Sequence, residues 1–134
     1  MTWPERLGIW TLAAGMVAVG ISHFTNPAPF VLMMPAALPA PLRLVQISGF
    51  FEVAGGLGIL IPATRAAAAW GLFALFIAVF PANVNMALNG IQPFPGVTVT
   101  PFQAWARLPL QLVLLAWAWR IARGGWWTRG GAHR

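Results

Sequence analysis

The stretch AAAAWGLFALFIAVFPANVNMAL, residues 66–88, decides what kind of protein this is. It carries no charged residue and is long enough to cross a bilayer core, which takes about 20 apolar residues at 1.5 Å each. Pro81 does not disqualify it, because a membrane helix tolerates proline where neighbouring groups satisfy the freed carbonyl.

Three other stretches read the same way. With spans at about 5–22, 42–61, 66–88 and 102–121, the expected fold is all-α, an integral membrane four-helix bundle. Residues 1–134 make a single membrane domain, with 122–134 as a cytoplasmic tail. Between the first two spans, Asn26 to Pro41 holds Pro27, Pro29, Pro35, Pro39 and Pro41. That stretch is apolar but too short and broken to span, and reads as a re-entrant or interfacial hairpin needing cover from protein or water.

Composition agrees. Of 134 residues, 59% are hydrophobic and 7% charged, where a soluble domain carries roughly a quarter charged residues. The first span lacks a small-residue cleavage site followed by polar sequence, so it is expected to remain a membrane helix. The absence of cysteine excludes disulfides, thiolate catalysis and cysteine-ligated metals.

The net charge of +6 comes from arginines and only two acids, Glu5 and Glu52. The arginines sit at the ends of apolar stretches instead of along one face, which reads as topology signal and attraction to anionic lipid, not nucleic-acid binding. Arg6, Arg65, Arg120, Arg123, Arg129 and Arg134 fall on one side of a four-span chain, Arg43 and Arg107 on the other. The positive-inside rule then gives a multi-pass membrane protein with both termini cytoplasmic. Trp3, Trp10, Trp105, Trp126 and Trp127 suit interfacial anchors. Gly49, Gly55, Gly56 and Gly58 along the second span suit close helix packing.

The candidate site comes from the polar residues a membrane should exclude. Glu52 lies mid-span, about 15 Å of helix from either end. A charge there costs about 2.5–3.5 kcal/mol or more on insertion scales, so it should face the bundle and have a partner. Ser48 is one turn away on the same face. His23 ends the first span, Asn83 and Asn85 lie near the end of the third, and Arg107 and Gln111 share a face of the fourth. All fall in the same outer half, which predicts an outward-opening polar pocket. Glu52 and His23 are its candidate catalytic acid–base groups; Arg107, Gln111, Asn83 and Ser48 are its candidate binding groups. Arg107 is the natural counter-ion for Glu52, its fork suiting a carboxylate. Each has a plainer alternative: His23 as a helix cap, Glu52 with Arg107 as a structural ion pair, Asn83 on the carbonyl freed by Pro81, Gln111 as interhelical glue. The two histidines stand at opposite ends of the chain, so no metal site is expected.

The run His23-Phe24-Thr25-Asn26-Pro27, with Phe30, Met34-Pro35 and Leu38-Pro39, resembles the DoxX-like family of small bacterial membrane proteins. Ser48-Gly49 with Glu52, Gly55-Gly56, Pro62 with Arg65, Val79-Phe80-Pro81-Ala82-Asn83 and Arg107-Leu108-Pro109-Leu110-Gln111 continue the resemblance over roughly residues 8 to 120. It implies a four-helix membrane fold in a bacterial inner membrane. Relatives in that family include a subunit of a thiosulfate:quinone oxidoreductase and members linked to oxidative-stress complexes or receptor assembly. The redox cysteines that some of them carry are absent here.

The functional expectation is a pocket for a lipophilic small molecule, quinone- or isoprenoid-like, with no cofactor beyond a quinone. The alternative is a non-catalytic accessory or scaffold subunit, with a membrane protein or a second copy of the chain as partner. Nothing in the residues decides whether the protein is an enzyme. Four spans without paired broken helices argue against a monomeric secondary transporter.

Overall fold

The computed structural model describes residues 2–94 and 96–124, and they form helices joined by short connections. Four helices are long: α1 (Trp3–Thr25), α3 (Pro41–Leu60), α4 (Arg65–Asn89) and α5 (Pro101–Ala122); α2 (Ala28–Met33) is short. The helix starts are written locally. The Thr2 backbone N–H donates to Glu5 Oε2 at 2.7 Å, and Thr100 and Gln103 bond reciprocally, a capping box that satisfies two orphan donors. α1, α3 and α5 each carry a proline in the first turn, where the missing N–H had no helical partner anyway. α4 ends on Gly90 in the left-handed region, φ 59°.

Two expectations change in detail. The proline-rich stretch holds a helix of its own, α2, because Pro29 falls in its first turn, where proline breaks nothing. Among the described residues, three helices (α1, α3 and α4) are long and apolar enough to cross a membrane. α5, expected as the fourth span, is as long but less apolar, carrying Gln103, Arg107, Gln111 and Arg120. Most of the expected cytoplasmic tail, residues 125–134 with Trp126, Trp127, Arg129 and Arg134, lies outside the described residues.

α3 packs on α1 and on α4, and α4 packs on α5. Glycine makes the central position possible. A methyl group on Gly49 would lie 2.6 Å from His23 Cβ and 2.8 Å from the Gly20 carbonyl oxygen of α1. On another side of α3, one on Gly55 would lie 2.5 Å from the Leu72 side chain of α4. Such close backbone approach lets the helices gain van der Waals contact along their length.

The dry core fills one end. Ile9, Leu12, Ala13 and Met16 of α1 meet Ile59 of α3, Ala69, Leu72 and Phe76 of α4, and Ala118 and Ile121 of α5. Arg65 closes this end: its Nε donates to the Ile59 carbonyl at 2.7 Å and its Nη2 to the Leu60 carbonyl at 3.2 Å, satisfying the orphan carbonyls of α3. The outer faces stay apolar, with Leu7, Phe50, Leu57, Ile77, Leu110 and Leu112 exposed. In α4 only 17% of the most apolar window is buried, so its apolar side chains serve the surroundings more than the core.

Candidate functional site

The end opposite the dry core is hollow. A cavity of about 250 Å³ lies there, bounded by α1, α2, α3, α4, α5 and Phe94 of the α4–α5 loop. Its walls are mostly apolar, among them Met16, Val45, Val79 and Leu114. All six residues singled out from sequence line it: His23, Ser48, Glu52, Asn83, Arg107 and Gln111. Chain direction brings them together. His23 ends α1, Ser48 and Glu52 sit in the first two-thirds of α3, Asn83 is late in α4, and Arg107 and Gln111 are early in α5.

The pairing inside differs from the sequence expectation. Glu52 Oε2 lies 3.1 Å from His23 Nδ1, and no ion pair joins Glu52 to Arg107 among the described residues. The cause is packing. The Gly49 contact brings α1 against α3 beside His23, whereas α5 packs principally on α4 and stands across the cavity. His23 and Glu52 are both buried, at 5% and 6% exposure. Their contact is within ion-pair distance but lacks hydrogen-bond geometry, so Oε2 is enclosed without a hydrogen-bond partner. Ser48 Oγ stands 3.4 Å from the same Nδ1 while donating to the Val45 carbonyl at 2.9 Å.

Arg107 reaches a weak neutral acceptor instead: its Nη1 is 3.2 Å from Met86 Sδ. The only other acid in the chain, Glu5, caps the start of α1. Among the described residues, the guanidinium therefore borders the cavity with no carboxylate paired to it. Asn83 Nδ2 donates to Gln111 Oε1 at 3.2 Å, and Gln111 Nε2 donates to the Phe76 carbonyl at 3.0 Å. It is thus Gln111, not Asn83, that reaches a main-chain carbonyl of α4 near the Pro81 turn.

Two residues outside the six candidate groups also shape the site. Phe30 of α2 stands edge-on to the His23 ring at 4.0 Å between centroids, covering it. Asn85 Nδ2 donates to the Met33 carbonyl at 2.9 Å and ties α2 down to α4. Asn85 belongs to the outer polar set read from the sequence, whereas no residue pattern there sets Phe30 against His23. Among the described residues no group of three histidine, cysteine or acidic side chains could hold a metal ion.

A family model described as a domain of unknown function, DUF8561, matches residues 12–122. The chain belongs to the DUF8561 family. The matched stretch contains every residue lining the cavity, from Met16 to Leu114. It leaves out only the first turns of α1 and the end of the chain. No curated protein and no solved structure matches the chain.

Proposed function

We propose that this DUF8561 member binds a lipophilic small molecule, quinone- or isoprenoid-like, with its oxygen-bearing head in the cavity between His23 and Arg107. The observation that carries the reading is a mostly apolar cavity with a few polar groups, two of which lack full partners: enclosed Glu52 Oε2 and the Arg107 guanidinium. An unmade hydrogen bond at a buried polar group costs about 1–3 kcal/mol, more for a charged one. A helix bundle that keeps such groups at a cavity is suited to a ligand that completes them. Arg107 offers donors to a carbonyl or anionic oxygen. His23 with Glu52 offers a proton route to a second oxygen, provided the head comes within about 3 Å directly or through one water. Asn83 and Gln111, bonded to each other, position the wall beside Arg107.

The setting proposed for this activity is a bacterial inner membrane, with kinship to DoxX-like proteins. The chain crosses it four times, α5 included, with both termini cytoplasmic. The outward side chains of α5, Leu110, Leu112 and Val113, are as exposed and apolar as those of the other long helices, which supports counting it as a span. Arg6, Arg65, Arg120 and Arg123 gather at the dry end and Arg43 and Arg107 at the cavity end, so the cavity faces outward on this reading.

Native mass spectrometry of the protein released from mild detergent tests the reading. The wild type should retain a discrete lipophilic adduct that Glu52→Gln loses while still expressing and remaining folded. A bare chain or mixed phospholipid in both would instead favour an accessory subunit, with a membrane protein or a second copy as partner. The closed Asn83–Gln111–Phe76 hydrogen-bond chain is what favours that second reading, since these groups already satisfy one another.

A further inference from the structure

A second cavity abuts the first. It has a volume of about 380 Å³ and lies between α3 and α4, under the α2–α3 connection. Ile47 and Phe51 wall it on the α3 side, Leu75 and Ala78 on the α4 side, and Leu38 covers one end. Its single polar lining residue is Ser48, whose hydroxyl is already committed to the Val45 carbonyl. Met34, Ser48, Val79 and Ala82 line both cavities, so the two are neighbours that share these residues.

Three observations give this chamber an occupant. The polar cavity, at about 250 Å³, falls short of the roughly 300–1,000 Å³ that drug-sized ligands fill. It suits a head group and not a whole lipophile. The neighbouring chamber is apolar throughout apart from Ser48 and has no groups to orient a head of its own. Ile47 and Phe51 are 53% and 56% exposed, so its α3 wall belongs to the outer, apolar surface of the helix pack.

We propose that the apolar chamber between α3 and α4 seats the hydrocarbon chain of the molecule whose head occupies the polar cavity. The site then takes a single-chained amphiphile, which enters sideways between α3 and α4 past Ser48 and Val79. This inference rests on the small-molecule reading above and adds the ligand's class and route. The residues along the route are small or flexible: Met34 is an unbranched thioether that yields to a passing chain, and Ala78 and Ala82 leave room.

The test uses the full chain in lipid nanodiscs and two probes, long-chain ubiquinone and the same benzoquinone head without its isoprenoid tail. Binding is read by tryptophan fluorescence quenching. The wild type should bind the tailed probe at least about tenfold more tightly than the bare head. Ala78→Trp, which fills the chamber from α4, should abolish that preference and leave affinity for the head unchanged. Ile77→Trp, on the adjacent outward-facing position that lines neither cavity, should keep it. A tail preference that survives Ala78→Trp overturns the proposal. Equal binding of both probes by the wild type overturns it too, while leaving the head site standing. No binding of either probe overturns the quinone reading and the proposal with it. A ubiquinone photoreactive in its tail gives a readout on the unmodified protein. Labelling at Ile47, Phe51 or Leu75 supports the proposal, and labelling confined to α1 or α5 refutes it.

Discussion

Replacing Gly49 by alanine adds one methyl group, and the structure states where it goes. It would meet His23 Cβ at 2.6 Å and the Gly20 carbonyl oxygen at 2.8 Å. Ordinary carbon contacts lie at about 3.5–4.0 Å, so α1 and α3 must part by about 1 Å. Neither obstacle is a flexible side-chain end, because one is a Cβ atom and the other is backbone. Overpacking of this kind costs about 1–3 kcal/mol. At roughly 4 °C per kcal/mol for a chain of this size, the midpoint of heat denaturation should fall by about 4–12 °C. The same parting would stretch the His23–Glu52 contact from 3.1 Å toward about 4 Å, so retention of the proposed lipophile should fall with stability. Gly71→Ala is the matched control, because its Cβ would meet nothing within 4 Å. There the gain in helix propensity, up to about 1 kcal/mol, should leave the protein as stable or slightly more so. Melting curves in one detergent, followed by loss of the monodisperse peak on size exclusion, give both numbers. Equal melting of the wild type and Gly49→Ala, or a larger loss for Gly71→Ala, would refute the claim that glycine contact sets the α1–α3 distance.

Further outcomes follow from individual contacts. Arg65→Ala leaves the Ile59 and Leu60 carbonyls without donors and should cost about 2–3 kcal/mol, with Arg65→Lys recovering part of it in the same melts. In a double-mutant cycle, His23→Gln and Glu52→Gln should couple by about 0.5–3 kcal/mol, while Arg107→Met and Glu52→Gln should add within about 0.5; the reverse would restore the Arg107 pairing. Gln92 clamps the α4–α5 loop by donating to the Val99 carbonyl at 2.9 Å and accepting from the Val99 N–H at 2.7 Å, so Gln92→Ala should speed hydrogen exchange at the Val99 amide several-fold.

The long helices were legible because hydropathy sums over a whole span. Residues 66–88 read as one helix despite Pro81, and α4 runs unbroken from Arg65 to Asn89. Local chemistry misled in two places. The prolines of residues 26–41 read as breakers, whereas Pro29, in the first turn of α2, is neutral. Glu52 was matched to Arg107 because guanidinium and carboxylate suit each other, but helix contact decides which groups can meet. The usable signal was a small residue one turn before each true partner: Gly20 before His23 in α1, and Gly49 before Glu52 in α3. Membership of the cavity was legible from the polar residues alone, since a membrane-type helix has few reasons to carry Asn83 or Gln111. The apolar half of the site was not, because Phe30, Met34 and Ala78 look like any lipid-facing or packing residue. Arg65 read as a topology signal and is also the cap that closes the turn between α3 and α4. A basic residue a few positions past the end of a span serves both purposes, and sequence alone does not separate them.

The central claim is that the cavity at the end of α1 holds the head of a lipophile. The most direct measurement is an experimental density map of the protein extracted with its native lipid and no detergent. A continuous, non-protein feature between His23 and Arg107, narrowing past Ser48 into the gap between α3 and α4, is the expected result. A cavity holding only separate water peaks beside Glu52, or one closed by Arg107 swinging onto Glu52, would contradict it.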